Sequence, residues 1–117
     1  MRVFVYGTLR RGQPNHGWLE GAPCLGECRT APRYPLVDLG PYPMLGRGGR
    51  TAVLGEVYAI NRRLLARLDV LEDYPRDYHR ALIATPWGRA WVYLRQRPPA
   101  GRRLSGGDWC ERAHPRP

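Results

Sequence analysis

Apolar positions alternate with a period of two at two places in the first sixty residues, 2–6 and 52–60. Residues 2–6 alternate around Val3 and Val5, the pattern of a buried strand, and Gly7 ends it. Residues 7–17 carry three glycines, one proline and polar groups, so a loop is predicted there, followed by a short helical turn around Trp18, Leu19 and Glu20. Residues 24–30 and 34–38 are candidate strands separated by Pro32, and the Gly- and Pro-rich stretch 40–50 reads as a surface loop. The clearest strand is 52–60, with Val53, Val57 and Ala59 on one face and Leu54, Tyr58 and Ile60 on the other.

The period then lengthens. Asn61 is suited to cap a helix, because its side chain can accept from an unpaired first-turn N–H. The segment 62–73 is helical by content, Leu64, Leu65, Leu68 and Leu71 form one stripe, and Tyr74-Pro75 stops it. Residues 79–85 and 89–95 are two strands around a turn at Pro86-Trp87-Gly88. From residue 96 onward the chain is rich in Arg, Pro and Gly, with Trp109 as its one anchor. Short strands with a single solid helix argue against a doubly wound parallel sheet. The expected fold is α+β: a small, mostly antiparallel sheet curled into a barrel, over one domain spanning 1–117, with 96–117 an extended tail packed on it.

Length and composition narrow the class. The 117 residues fit a single domain, and 43% hydrophobic content fits a folded chain. The apolar runs, such as residues 3–6, fall far short of the roughly 20 residues of a membrane-spanning helix. No secretory signal is readable, so a cytoplasmic location is expected. The formal charge is +9, and all 19 cations are Arg. They are scattered, the closest groupings being pairs such as Arg10 and Arg11, so nucleic acid is not the expected partner. Nothing in the sequence fixes the oligomeric state.

Three cysteines exclude a full disulfide framework. Cys24, Cys28, Cys110 and His114 could be assembled on paper into a zinc set. Cys24 and Cys28 lie on a predicted strand, however, where four residues span about 13 Å, too far for two ligands of one ion. The cysteines are therefore expected to pack, not to ligate.

The helix supplies the most useful geometry. At about 100° per residue, Glu72 falls about 80° from Leu64, within the leucine stripe, while Asp69 falls at its edge and Asp73 faces water. A carboxyl turned inward is desolvated, which raises its pKa toward the range useful for proton transfer near neutral pH. Fraying of the last turn would instead leave Glu72 solvated. The second feature is Tyr6-Gly7-Thr8-Leu9 at the exit of the first strand. Gly7 permits close backbone approach, and freed N–H groups there could hold a carboxylate or an oxyanion, although an ordinary turn has the same four residues. Glu56 reads as a sheet-face acid paired with an Arg. His16 and His79 have no Ser or Cys partner at readable spacing, and the chain's only Ser is Ser105. No nucleophile elbow, phosphate loop or zinc-protease motif is present.

Several strings coincide with one family. Val5-Tyr6-Gly7-Thr8-Leu9-Arg10 with Gly12 and Asn15, then Val53-Leu54-Gly55-Glu56-Val57-Tyr58, then Leu68-Asp69-Val70-Leu71-Glu72 followed by Tyr78-His79-Arg80, resemble the signatures of the γ-glutamylcyclotransferase-like family. Trp91-Val92-Tyr93 and Gly107-Asp108-Trp109 fit its small bacterial branch. The resemblance covers nearly the whole chain and implies a compact mixed barrel with flanking helices and a central cavity. It implies a small-molecule γ-glutamyl substrate, closure of that substrate to 5-oxoproline with loss of its amine, and no metal or cofactor. Carried over by position, Tyr6, Gly7, Thr8 and Leu9 bind the substrate and Glu72 transfers the proton. Tyr78 and Arg80 are expected to hold the substrate carboxylate. The Tyr-Gly-Thr-Leu loop and the small size look closer to γ-glutamylamine cyclotransferases than to the glutathione-degrading branch. A non-catalytic small-ligand binder on the same fold is the alternative.

Overall fold

The computed structural model describes residues 1–97 and 101–111. In chain order it contains β1 (Arg2–Val5), a 3-10 turn (His16–Leu19), β2 (Cys24–Arg29), β3 (Leu36–Asp38), β4 (Pro43–Leu45), β5 (Leu54–Ala59), α1 (Arg62–Leu71), β6 (His79–Ile83), β7 (Ala90–Leu94) and β8 (Arg102–Arg103). The strands form a five-stranded sheet in the order β2-β5-β1-β7-β6 and a three-stranded sheet in the order β4-β3-β8. All pairs are antiparallel except β1 with β7, which run parallel with Val3 beside Trp91.

The α+β class and the mixed, mostly antiparallel pairing agree with the sequence pattern. The barrel does not form. β3 pairs with both β4 and β8 in a separate sheet, and these strands do not bridge β2 to β6, so the larger sheet keeps two edges. Among the described residues the flanking helices reduce to α1 and one short 3-10 turn. Strand β4 lies inside the stretch predicted to be loop, where three residues give no readable alternation. Its order comes from pairing Leu45 with Leu36 and Met44 with Val37.

The three inner strands of the large sheet, β5, β1 and β7, are buried on both faces. Val3, Val5 and Tyr58 cluster with Leu64, Leu65 and Leu68 of α1 and with Leu19. Phe4, Val57 and Val92 cluster with Leu36, Leu45, Val53 and Trp109. The alternation predicted for 52–60 therefore sends Val53 and Val57 to one core cluster and Tyr58 and Ile60 to the other. Asn61 caps α1 as its chemistry suggests, its Oδ1 accepting from the Leu64 N–H at 2.9 Å, a contact worth about 1 kcal/mol. Trp109 is buried and donates its indole N–H to Asp38 Oδ1 at 3.2 Å, while β8 pairs with β3. Residues 98–100 and 112–117 of the expected tail, including His114 of the zinc set, lie outside the described residues. Cys28 and Cys110 pack against the second cluster, whereas Cys24 is exposed. Among the described residues no helix is long and apolar enough to cross a membrane.

This architecture decides where the first strand empties. β1 sits in the middle of the large sheet, so residues 6–9 leave from its centre. They emerge near the parallel β7, beneath the wall made by residues 41–43 and opposite the end of α1.

Candidate active site

A cavity of about 510 Å³ opens at that point. Residues 6–9 form one side, Pro41, Tyr42 and Pro43 a second, and Leu71, Glu72, Asp77 and Tyr78 the third, with Tyr93 at the back. Of the residues singled out from sequence, Tyr6, Gly7, Thr8, Leu9, Glu72 and Tyr78 all line this one space.

The loop owes its shape to close packing and to its own carbonyls. A Cβ on Gly7 would stand 2.5 Å from Pro43 Cγ, so no larger residue fits beside that wall. The Gly7 carbonyl accepts from the Arg10 N–H at 3.0 Å, and the Thr8 carbonyl from the Asn15 N–H at 2.9 Å. The Leu9 carbonyl is held by His16 Nδ1 at 2.9 Å, and Thr8 Oγ1 accepts from Asn15 Nδ2 at 3.0 Å. With its oxygens tied back in this way, the loop keeps its donors free. Among the described residues, no protein acceptor takes the backbone N–H of Gly7, Thr8 or Leu9.

Glu72 stands across the cavity. α1 ends at Leu71, two residues earlier than predicted, and Glu72 forms the cap, its N–H bonded to the Leu68 carbonyl at 2.9 Å. The acid nevertheless stays half-buried and faces the cavity. Burial, and secondarily the charge of Asp77, push its pKa up to about 7. Asp73, by contrast, is exposed, as the helical wheel predicts.

Tyr78 is buried, and its hydroxyl donates to the Pro43 carbonyl at 3.3 Å. The Tyr6 hydroxyl is spent on structure: it donates to the Tyr93 carbonyl at 2.7 Å and accepts from the Leu45 N–H at 3.1 Å. Desolvation by burial raises the pKa of both phenols, so both stay neutral.

Arg80 is a correction to the sequence reading. It does not line the cavity. Its Nε binds Asp69 Oδ1 at 3.0 Å, and its guanidinium is sandwiched between the rings of Tyr74 at 4.6 Å and Trp91 at 4.5 Å. Held by Asp69 and the two rings, the guanidinium lies outside the cavity lining rather than on the wall a substrate carboxylate would meet. The expected pairing of Glu56 with an Arg is found, its Oε2 lying 3.5 Å from Arg10 Nε.

Asp77, Tyr42, Pro43 and Tyr93 also line the cavity and were not picked out from sequence. Asp77 is ion-paired with Arg95, whose Nε also donates to the Asp77 carbonyl at 3.1 Å and whose guanidinium lies over the Tyr78 ring. The acid follows the Tyr74-Pro75 helix stop, a position with no periodic signal to mark it. Among the described residues no group of three or more His, Cys, Asp or Glu side chains is placed to hold a metal ion.

Chemically, the cavity combines a carboxyl poised near neutrality, unoccupied backbone donors and apolar walls. That set can accept a proton, stabilise a developing oxyanion and return the proton.

Comparison with known proteins places the chain in a family. Residues 3–111 match the model described as gamma-glutamyl cyclotransferase, AIG2-like. A Vibrio cholerae protein is 49% identical over 111 residues, covering 94% of this chain and 96% of its own. The gamma-glutamylcyclotransferase family protein YtfP of Escherichia coli is 46% identical over 113 residues, covering 96% and 98% respectively. Among solved structures, the protein PH0828 of Pyrococcus horikoshii superposes with a TM-score of 0.83 at 32% identity, covering 95% of this chain and 91% of its own. The chain thus belongs to the gamma-glutamyl cyclotransferase, AIG2-like family.

Proposed function

We propose that this protein converts a γ-glutamyl amine, or a related γ-glutamyl amide, to 5-oxoproline and the free amine. The observation that carries the reading is the placement of Glu72, with its pKa raised to about 7, and the free donors of residues 7–9 on the walls of one cavity.

The substrate's α-ammonium group must lose a proton before it can attack its own γ-carbonyl. Ionised Glu72 takes that proton. The nitrogen then closes on the γ-carbon, and the backbone N–H groups of residues 7–9 stabilise the oxyanion that forms. Collapse of this intermediate breaks the bond to the leaving nitrogen, which receives the proton from Glu72; the ring nitrogen then gives its second proton to the ionised Glu72, which passes it to the departing amine so that it leaves as its ammonium form. The ring closes within one molecule, so much of the rate comes from holding a folded conformer, an effect worth up to about 7–11 kcal/mol. The apolar walls formed by Pro41, Pro43 and Leu71 exclude water and suit that task. With Arg80 outside the cavity and the Tyr78 proton donated to the Pro43 carbonyl, the backbone donors of residues 7–9 are the groups that meet the substrate's oxygens. One domain, residues 1–117, carries the whole reaction.

The test is release of 5-oxoproline from a panel of γ-glutamyl amines and amides. Glu72→Gln keeps shape and removes the base, and it should lower turnover by about 10²–10⁴-fold. Saturable binding of 5-oxoproline with no turnover of any panel member would favour a non-catalytic binder instead.

A further inference from the structure

Arg10 and Glu56 are buried charged residues, 6% and 7% exposed. Both sit directly behind the donor loop. Glu56 lies on strand β5, between β1 and β2. Its Oε1 accepts from the Arg11 N–H at 2.9 Å and from the Tyr58 hydroxyl at 2.8 Å, while its Oε2 lies 3.5 Å from Arg10 Nε. On the other side of the guanidinium, Arg10 Nη1 donates to Asp108 Oδ1 at 2.8 Å. That same oxygen accepts from the Cys110 N–H at 3.1 Å, which ties the C-terminal segment into the cluster. Arg10 Nη2 is 3.8 Å from Glu27 Oε1 at the surface.

A buried ion pair is a weak source of net stability, because desolvation offsets most of the attraction. Its location here suggests another role. Arg10 and Arg11 immediately follow residues 7–9, whose far side is held by Asn15 and His16. The segment is already held by β1 before it and by Asn15 and His16, and the cluster adds a hold at the residues immediately after it.

We infer that Glu56, Arg10 and Asp108 are positioning residues, forming a charged clamp that fixes the backbone donors of residues 7–9 against the cavity. The inference rests on the cyclotransferase reading for its catalytic consequence, but not for its structural one. The clamp's charge, rather than its bulk, holds the loop: the guanidinium is attracted from two sides by carboxylates that themselves bind backbone N–H groups.

The experiment measures backbone 15N relaxation of Gly7, Thr8 and Leu9 in the free protein, together with kcat, KM and melting temperature. The variants are Glu56→Gln and Asp108→Asn, and Arg10→Lys, which keeps the charge but not the forked geometry. Val53→Ala serves as a control that loosens the core without touching the charges of the clamp. Glu56→Gln and Asp108→Asn should mobilise the three amides and lower kcat about 10- to 100-fold, the scale of an ångström-level misplacement, with KM changed less than about threefold. Arg10→Lys should fall between them and wild type. Val53→Ala should lower the melting temperature and leave amide order and kcat unchanged. Wild-type amide order in both carboxamide variants would overturn the inference, as would loss of order in Val53→Ala. Asp108→Asn decides the matter if Glu56→Gln does not fold. If the wild type turns over no γ-glutamyl compound, the cyclotransferase reading fails, and the relaxation data still decide whether the clamp holds the loop.

Discussion

The Tyr93 hydroxyl donates to Asp69 Oδ1 at 2.6 Å, binding β7 to the last turn of α1 three residues before Glu72. The same Asp69 oxygen receives Arg80 Nε at 3.0 Å. One carboxylate thus pins the end of the helix to the sheet, and the orientation of the cavity's acid depends on it. Tyr93→Phe should destabilise the fold by about 1–3 kcal/mol, the usual cost of losing a hydrogen bond to a charged group. Thermal unfolding measures this, and a parallel fall in kcat would report the freed helix end.

Glu72 has a pKa raised from 4.5 to about 7 in the folded protein. In the window between those values the folded state binds more protons than the unfolded chain, so stability falls as pH rises through it and levels off above. The whole effect is at most about 3 kcal/mol. Chemical denaturation at pH 5 and pH 8 should show the wild type losing stability across this interval and Glu72→Gln losing much less.

Catalysis carries the opposite sign. The base is the ionised carboxylate, so kcat/KM should rise with pH through an apparent pKa near 7, assigned to Glu72. A pH–rate profile that is flat from pH 5.5 to 8 would remove Glu72 from this role.

Asp77 faces the same cavity and helps hold the Glu72 pKa up. Asp77→Asn removes that negative charge and leaves Arg95 unpaired nearby. Both changes favour ionised Glu72, so the acid limb of the profile should move to lower pH. A limb that stays in place or moves upward would contradict the electrostatic picture.

Gly7→Ala tests the close approach at the loop. Its new Cβ would meet Pro43 Cγ at 2.5 Å and Cδ at 2.6 Å, so the proline wall must retreat. Overpacking of this kind costs about 1–3 kcal/mol. The larger effect should fall on kcat/KM, because the displaced groups are the cavity walls themselves.

Much of this protein was decided by local pattern. Strands β1, β2 and β5, the β6–β7 hairpin, α1 with its Asn61 cap and the inward turn of Glu72 all follow from residue types at short spacing. Backbone preference, side-chain period and capping act over a few residues, so they can be read in order along the chain. The tertiary structure decided which partners met. It paired β1 with β7 in parallel, made a strand of residues 43–45 by laying them on β3, and left the large sheet open. It also withdrew Arg80 from the substrate, because Asp69, Tyr74 and Trp91 reach the guanidinium first, and it brought Asp77 beside Glu72. Strand pairing and ion pairing depend on which groups arrive at one place from distant parts of the chain, and linear spacing does not encode that arrival.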